Sequence, residues 1–296
     1  MPTPQSPTFL RRLSQWAPIR VICYVAGIIA VAIVAKILTQ LFVPPSPSPL
    51  HEPLTLARNL LVPVVMFAVY ALLVRVIERR AASELDIRKG LPTLLAGLLI
   101  GATLMVTIYL GLWGLGMARF ANGTGLEGLM VALAYYMATA MGEELLFRAV
   151  LFRIVEEVGG TTAAVGISAV IFGLLHAANP GATAFGVSAL MIEGGVMWAL
   201  AYVLTRNIWL AVGIHMSWNF TQGYVFGAEV SGVSSPYSIL KTTLSGPDVL
   251  TGGSFGPEGS VLALGVGLVA SAVLVVLIRR KGGWRAPGFR LRLQTD

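Results

Sequence analysis

Two adjacent carboxylates and an arginine stand inside an apolar run, Gly142-Glu143-Glu144-Leu145-Leu146-Phe147-Arg148. Between Leu126 and Leu151 the one other charged residue is Glu127. If this stretch crosses a bilayer, each ionisable group costs about 2.5 to 3.5 kcal/mol on an insertion scale, so an intramembrane charge marks a functional site. Helical spacing sorts the three. Glu144 and Arg148 are four apart, share a face and can neutralise one another, while Glu143 is turned about 100° away and needs a different partner. Later apolar runs offer two, His176 and His215. Phe172 stands four residues before His176, and Asn219 four after His215, so each pair shares a helical face. These residue types suit hydrolysis. A carboxylate with a histidine polarises a water. A second imidazole and an amide donate to the oxyanion that forms on a carbonyl.

The elements that must carry these groups are membrane helices. The chain is 56% hydrophobic and 12% charged over 296 residues, with a mean hydropathy of +0.78, whereas a soluble domain is about a quarter charged. The expected fold is an all-α, polytopic membrane bundle. At roughly 20 apolar residues per crossing, the sequence contains about eight transmembrane helices, near 20–43, 56–77, 91–115, 126–151, 161–178, 183–205, 207–225 and 259–279. The domain organisation follows: a cytoplasmic amino tail over 1–19, a single transmembrane bundle over 20–279, and a basic cytoplasmic tail over 280–296. Pro44-Pro45-Ser46-Pro47-Ser48-Pro49 breaks the helix between the first two spans. Residues 227–259, rich in Ser, Gly and Pro, read as the largest water-exposed loop. His51, beside the proline-rich link, has no assigned role.

The net charge of +7 does not point to nucleic acid, because the basic residues lie in short clusters flanking apolar runs. Sixteen Lys/Arg fall on the side of the termini, and Arg58, Arg119 and Lys241 on the other. The positive-inside rule therefore puts both termini in the cytoplasm. Lys36 and Arg148 lie within spans, and Lys36 is close enough to an end to snorkel outward. The expected location is a bacterial cytoplasmic membrane, with membrane lipids as partners and the basic tail touching anionic lipid. The single cysteine, Cys23, precludes an intrachain disulfide. Arg11, Arg12 and Arg20 precede the first span without a clear cleavage site, so the first helix is read as retained.

Gly159-Gly160 should close the fourth and fifth spans into an antiparallel hairpin. Glu143 and His176 each stand sixteen and a half residues from its midpoint, which sets them at one depth. With the surface taken near Leu151 to Arg153, Glu143 lies about 12 to 15 Å deep and His215 about 12 Å. Three spans thus converge on one level, on this count nearer the cytoplasmic face. Asn179-Pro180-Gly181 should end the fifth helix inside the membrane, where irregular backbone survives only beside protein or a wet cavity. A hydrated cavity open to the cytoplasm is expected. Glu193, within Ile192-Glu193-Gly194-Gly195, is a further intramembrane acid without a role.

At these residues the chain resembles the CPBP family of intramembrane proteases, the CAAX-processing endopeptidases and bacteriocin-processing or self-immunity proteins of the Abi type. The family pattern Glu-Glu-x-x-x-Arg, Phe-x-x-x-His, His-x-x-x-Asn stands here as Glu143-Glu144 with Arg148, Phe172 with His176, and His215 with Asn219, complete and in order, within a core of about 126–222. The resemblance implies an intramembrane endopeptidase that cleaves a protein or peptide substrate near the cytoplasmic leaflet. It implies that Glu143 with His176 activates water and that His215 and Asn219 form the oxyanion site. Glu144, Arg148 and Phe172 would support or orient. No cofactor is expected, although Glu143, His176 and His215 could hold zinc or another divalent metal. There is no His-Glu-x-x-His, and Asn219 suits an oxyanion site better than a zinc shell. Two rivals remain: a non-catalytic scaffold or self-immunity protein of the same family, and a proton-coupled transporter relaying through Glu143, Glu193 and Arg148. No internal repeat supports the transporter. Nothing in the residues reads a substrate.

Overall fold

A computed structural model describes residues 16–287, apart from residues 47 and 49. Most of the amino tail and the part of the basic tail from residue 288, with Arg11, Arg12, Arg290 and Arg292, lie outside the described residues.

Apolar runs bounded by Pro, Gly and charged turns fold as helices, because a backbone in lipid must satisfy its polar groups within its own segment. They are α1 (Ala17–Phe42), α2 (His51–Leu73, extended by a wide π turn Val74–Glu78), α3 (Ile87–Gly114), α4 (Leu129–Glu144, continued by π turns Leu145–Phe152) and α5 (Arg153–His176). There follow α6 (Ala184–Leu190), a π segment Met191–Met197, α7 (Trp198–Thr205), and α8 (Trp209–Phe220, continued by Thr221–Val225). The short α9 (Asp248–Thr251) and the final α10 (Val261–Arg280) complete the set. Each of the eight expected apolar segments is helical. Six continuous helical runs among the described residues are long and apolar enough to cross a membrane, and one of these, Leu129–His176, is 48 residues long.

That run is a hairpin. Gly160 leaves the helix with φ 75° and ψ 175°, a region essentially reserved for glycine. A side chain there would also strike the backbone nitrogen of Pro287 at 2.7 Å. In a straight helix Glu143 and His176, 33 residues apart, would be about 50 Å apart. Their side chains instead approach to 3.9 Å.

The element carrying His215 is fixed by close backbone approach. Gly97 and Gly101 on α3 face Gly213 and Ile214 on α8, so tightly that a Cβ on Gly97 would sit 2.5 Å from the Leu210 carbonyl oxygen. Small residues at such a crossing let helices pack without a hydrophobic driving force, which lipid does not supply.

The face bearing the termini is tied by ion pairs. Glu78 receives Arg153 at 2.7 Å and Arg80 at 2.6 Å, and Arg153 also reaches Glu157 at 2.9 Å. Glu84, in the turn before α3, is pushed up by burial and pulled down further by hydrogen bonds from Arg80 and Tyr70, so it stays below the usual carboxylate range. Its stabilising contribution is present above the unfolded pKa and is lost as pH falls through the lower folded one.

Two features differ from expectation. The all-α bundle also carries one short ribbon, in which β1 (Ala118–Asn122) pairs antiparallel with β2 (Leu240–Leu244), Ala118 opposite Leu244. The loop over 227–259 is not simply exposed either. Phe255, Glu258 and Ala228 are buried in it, and composition alone does not show that a Gly-rich segment folds back onto the bundle.

Replacing Gly101 by Val should cost about 1 to 3 kcal/mol through overpacking and lower the apparent melting temperature in detergent. Gly166→Ala, on an open surface with no atom within 4 Å of a new Cβ, should leave that temperature unchanged or raise it.

Candidate active site

α4 brings Glu143, α5 brings His176 and α8 brings His215 to one point. Glu143 Oε2 lies 3.9 Å from His176 Nε2 and 3.9 Å from His215 Nε2, and it has no hydrogen-bond partner in the protein. A gap of 3.9 Å is too long for a direct hydrogen bond, and a water bonded to both atoms at about 2.8 Å would subtend an angle of about 90°.

Both rings are held from behind. His176 Nδ1 lies 2.8 Å from the Phe172 carbonyl oxygen, which can only accept, so Nδ1 carries a proton and Nε2 faces Glu143. His215 Nδ1 lies 3.0 Å from Glu144 Oε1 and donates to it. The ring of His215 stacks on Trp198, with centroids 3.9 Å apart and planes 21° from parallel.

Glu144 and Arg148 are both fully buried and pair as their spacing predicts, with Arg148 Nε 3.1 Å from Glu144 Oε2. The guanidinium also donates to the carbonyl oxygens of Gly194 and Gly195 and lies 5.2 Å from the centroid of Phe172. The π turns make this reach possible, since Arg148 sits in one and the two glycines in another. Such turns often occur at functional sites. The Asn219 side chain, on a residue 7% exposed, has no hydrogen bond among the described residues and lines the same cavity as Glu143 and the two histidines.

The cavity encloses about 770 Å³. Its floor holds Glu143, His176, His215 and Asn219. Its mouth is formed by Ser46 and His51 at the start of α2 and by Ser234 and Tyr237 of the long loop, with the Tyr237 hydroxyl donating to Glu52 across it. The mouth therefore lies on the face opposite the termini. This corrects the expectation that one basic, cytoplasmic face holds both termini and the cavity opening. The sequence count set the surface at Leu151 to Arg153, but the helical run continues to Gly160 and Arg153 is largely buried in ion pairs. His176 ends α5 about 24 Å from Gly160, beside the loops of the mouth.

Glu143, His176, His215 and Asn219 line one cavity with Phe172, and Glu144 and Arg148 pair behind it; three further structural roles were not apparent in the sequence. The bond from His215 to Glu144 is one, since separation along the chain hides it. Trp198 is another. The third is Glu258, buried just before α10. It accepts the backbone N–H of Ser231 at 2.6 Å, the Ser231 hydroxyl and Trp218 Nε1 at 3.1 Å, and so seats the roofing loop on α8. An acid in the apolar context Pro257-Glu258-Gly259 was its one signal. Glu193 is fully buried against Gly267 with neither oxygen partnered, and it does not join the site.

The residues present do not fit a metal ion well. The separations of 3.9 Å exceed the ligand spacing of about 3.4 Å implied by tetrahedral zinc bonds. No three His, Cys, Asp or Glu side chains among the described residues are grouped to hold an ion.

The fold and the site define an integral membrane protein with a hydrolase-like constellation at the base of an intramembrane cavity. Residues 124–221 match the family model described as Type II CAAX prenyl endopeptidase Rce1-like, in agreement with the CPBP resemblance. No curated protein and no solved structure matches the chain.

Removing one partner of a fully buried ion pair costs about 3 to 5 kcal/mol. Arg148→Met should therefore destabilise strongly, and Glu144→Gln/Arg148→Met should lose less than the sum of the single variants. A double-mutant cycle of unfolding free energies measures this.

Proposed function

We propose that the protein is an intramembrane endopeptidase that hydrolyses a peptide bond with Glu143 as general base. The observation carrying this reading is the unpartnered Glu143 oxygen, 3.9 Å from both imidazoles on the floor of a cavity that admits a peptide. A water between Glu143 and His176 gives one proton to the carboxylate as its oxygen bonds to the carbonyl carbon. His176 Nε2 accepts the other hydrogen and orients the attack. The oxyanion is met by the Asn219 amide and by His215 Nε2. With Nδ1–H directed at Glu144, His215 donates from Nε2 when it carries both protons. The cluster Glu143, Glu144, Arg148 and His215 then sums to zero charge, as burial in lipid favours. Collapse breaks the C–N bond, and the proton held by Glu143 passes to the leaving nitrogen. Every step uses groups of this chain, and the reading includes no metal.

With the termini cytoplasmic under the positive-inside rule, the cavity mouth faces the opposite side, and the scissile bond is reached from there. The substrate is a protein or peptide, as for the protease family matched by residues 124–221.

Glu143→Ala should lower cleavage by about 10² to 10⁴ and Asn219→Leu by about 10² to 10³. Both are read by comparing fragments in membranes carrying each form at equal expression. Identical fragment profiles for wild type and Glu143→Ala would sink the protease reading and favour a scaffold. Strong chelation should leave turnover intact. For orientation, in a Cys23→Ser background, Ser234→Cys should react with a membrane-impermeant maleimide on intact cells and Lys281→Cys only after permeabilisation. The reverse pattern would invert the topology.

A further inference from the structure

A second cavity of about 290 Å³ lies on the flank of the bundle between α1, α2 and α4, and Lys36, Gln40, Arg58 and Asn59 line it together with small apolar residues. Ile33, Ile37 and Leu61 on the same two helices are exposed, so this flank faces lipid. Arg58 hydrogen-bonds only to Asn59 Oδ1, at 3.0 and 2.7 Å. Neither Lys36 nor Arg58 forms an ion pair among the described residues. Asn59 is 5% exposed, and with its oxygen turned to Arg58 its Nδ2 is left buried without a partner.

Lys36 and Arg58 thus offer the groove donors alone, and both are cations. A cation without a counter-ion on a lipid-facing flank is costly, so the arrangement calls for an anionic ligand with several acceptor oxygens. Depth narrows the choice. Lys36 is six residues before the end of α1 and Arg58 seven after the start of α2, about 9 and 10 Å from the helix ends. At about 39 Å, α1 overshoots a 30 Å hydrocarbon core, so snorkelling from this level reaches the headgroup region on the mouth side. We infer that the groove binds the phosphate of an anionic phospholipid, its oxygens on Arg58 and Lys36 and its chains along Ile33, Ile37 and Leu61. Arg58 and Asn59 also line the large cavity. The bound headgroup therefore forms part of the partition between lipid and the catalytic floor.

A peptide carboxylate has the same acceptor chemistry. The lipid is favoured because the groove opens on the apolar flank. Native mass spectrometry of the delipidated full chain tests the assignment, using dioleoyl phosphatidylglycerol, dioleoyl phosphatidylcholine and a heptapeptide with a free or an amidated carboxy terminus. Wild type should retain phosphatidylglycerol in preference to phosphatidylcholine, and Lys36→Ala/Arg58→Ala should weaken that affinity about thirtyfold. Asn59→Asp, nearly isosteric, should weaken it too. Arg119→Ala/Lys241→Ala, which removes two cations from the same face outside the groove, should not. Equal retention by wild type and Lys36→Ala/Arg58→Ala at matched melting temperature overturns the inference. So does an equal loss in the Arg119→Ala/Lys241→Ala control, or discrimination between the free and amidated peptide without any lipid preference.

Discussion

Charge in lipid must be balanced on the spot, and the structure turns on how that is done at Glu144. Its carboxylate takes Arg148 on one side and the His215 ring on the other. Arg148 in turn neutralises carbonyl dipoles at Gly194 and Gly195. Segments from α4, the π segment before α7 and α8 are thereby locked around one buried ion. The desolvation penalty of each group is met only when all three elements are in place, so the interaction that stabilises the bundle also aims the imidazole.

Rigidity behind Glu143 contrasts with space in front of it. The two rings are held by Nδ1 bonds and by aromatic neighbours, while the facing oxygen of Glu143 has no protein partner. A preorganised donor and acceptor set around a water-sized gap is how a site acts on a bond without reorganising during the reaction. The loop that roofs the cavity is anchored through Glu258 and Asn179 to the same helices, so the mouth and the floor share one frame.

The small residues have a matching role. Gly97, Gly101 and Gly213 allow α3 and α8 to touch backbone to backbone, and Gly160 reverses the chain between Glu143 and His176. Each replaces side-chain packing by geometry. That geometry fixes where Glu143, His176 and His215 meet.

Much of this was legible in the residues. Apolar runs of about 20 residues specify membrane helices because the bilayer leaves backbone few other solutions. The i, i+4 spacing of Glu144 with Arg148, Phe172 with His176 and His215 with Asn219 specifies shared faces because a helix repeats every 3.6 residues. The equal distance of Glu143 and His176 from the midpoint of Gly159-Gly160 specifies a common depth. Tertiary structure alone decided the rest. The bond from Glu144 to His215 joins residues 71 apart, and no local period encodes such a contact. Which face the cavity opens toward depended on how far the helical run continues past Arg153 before the kink at Gly160 and on a Gly-rich loop folding inward over Ser231. Both are set by long-range ion pairs and hydrogen bonds, which hydropathy does not register.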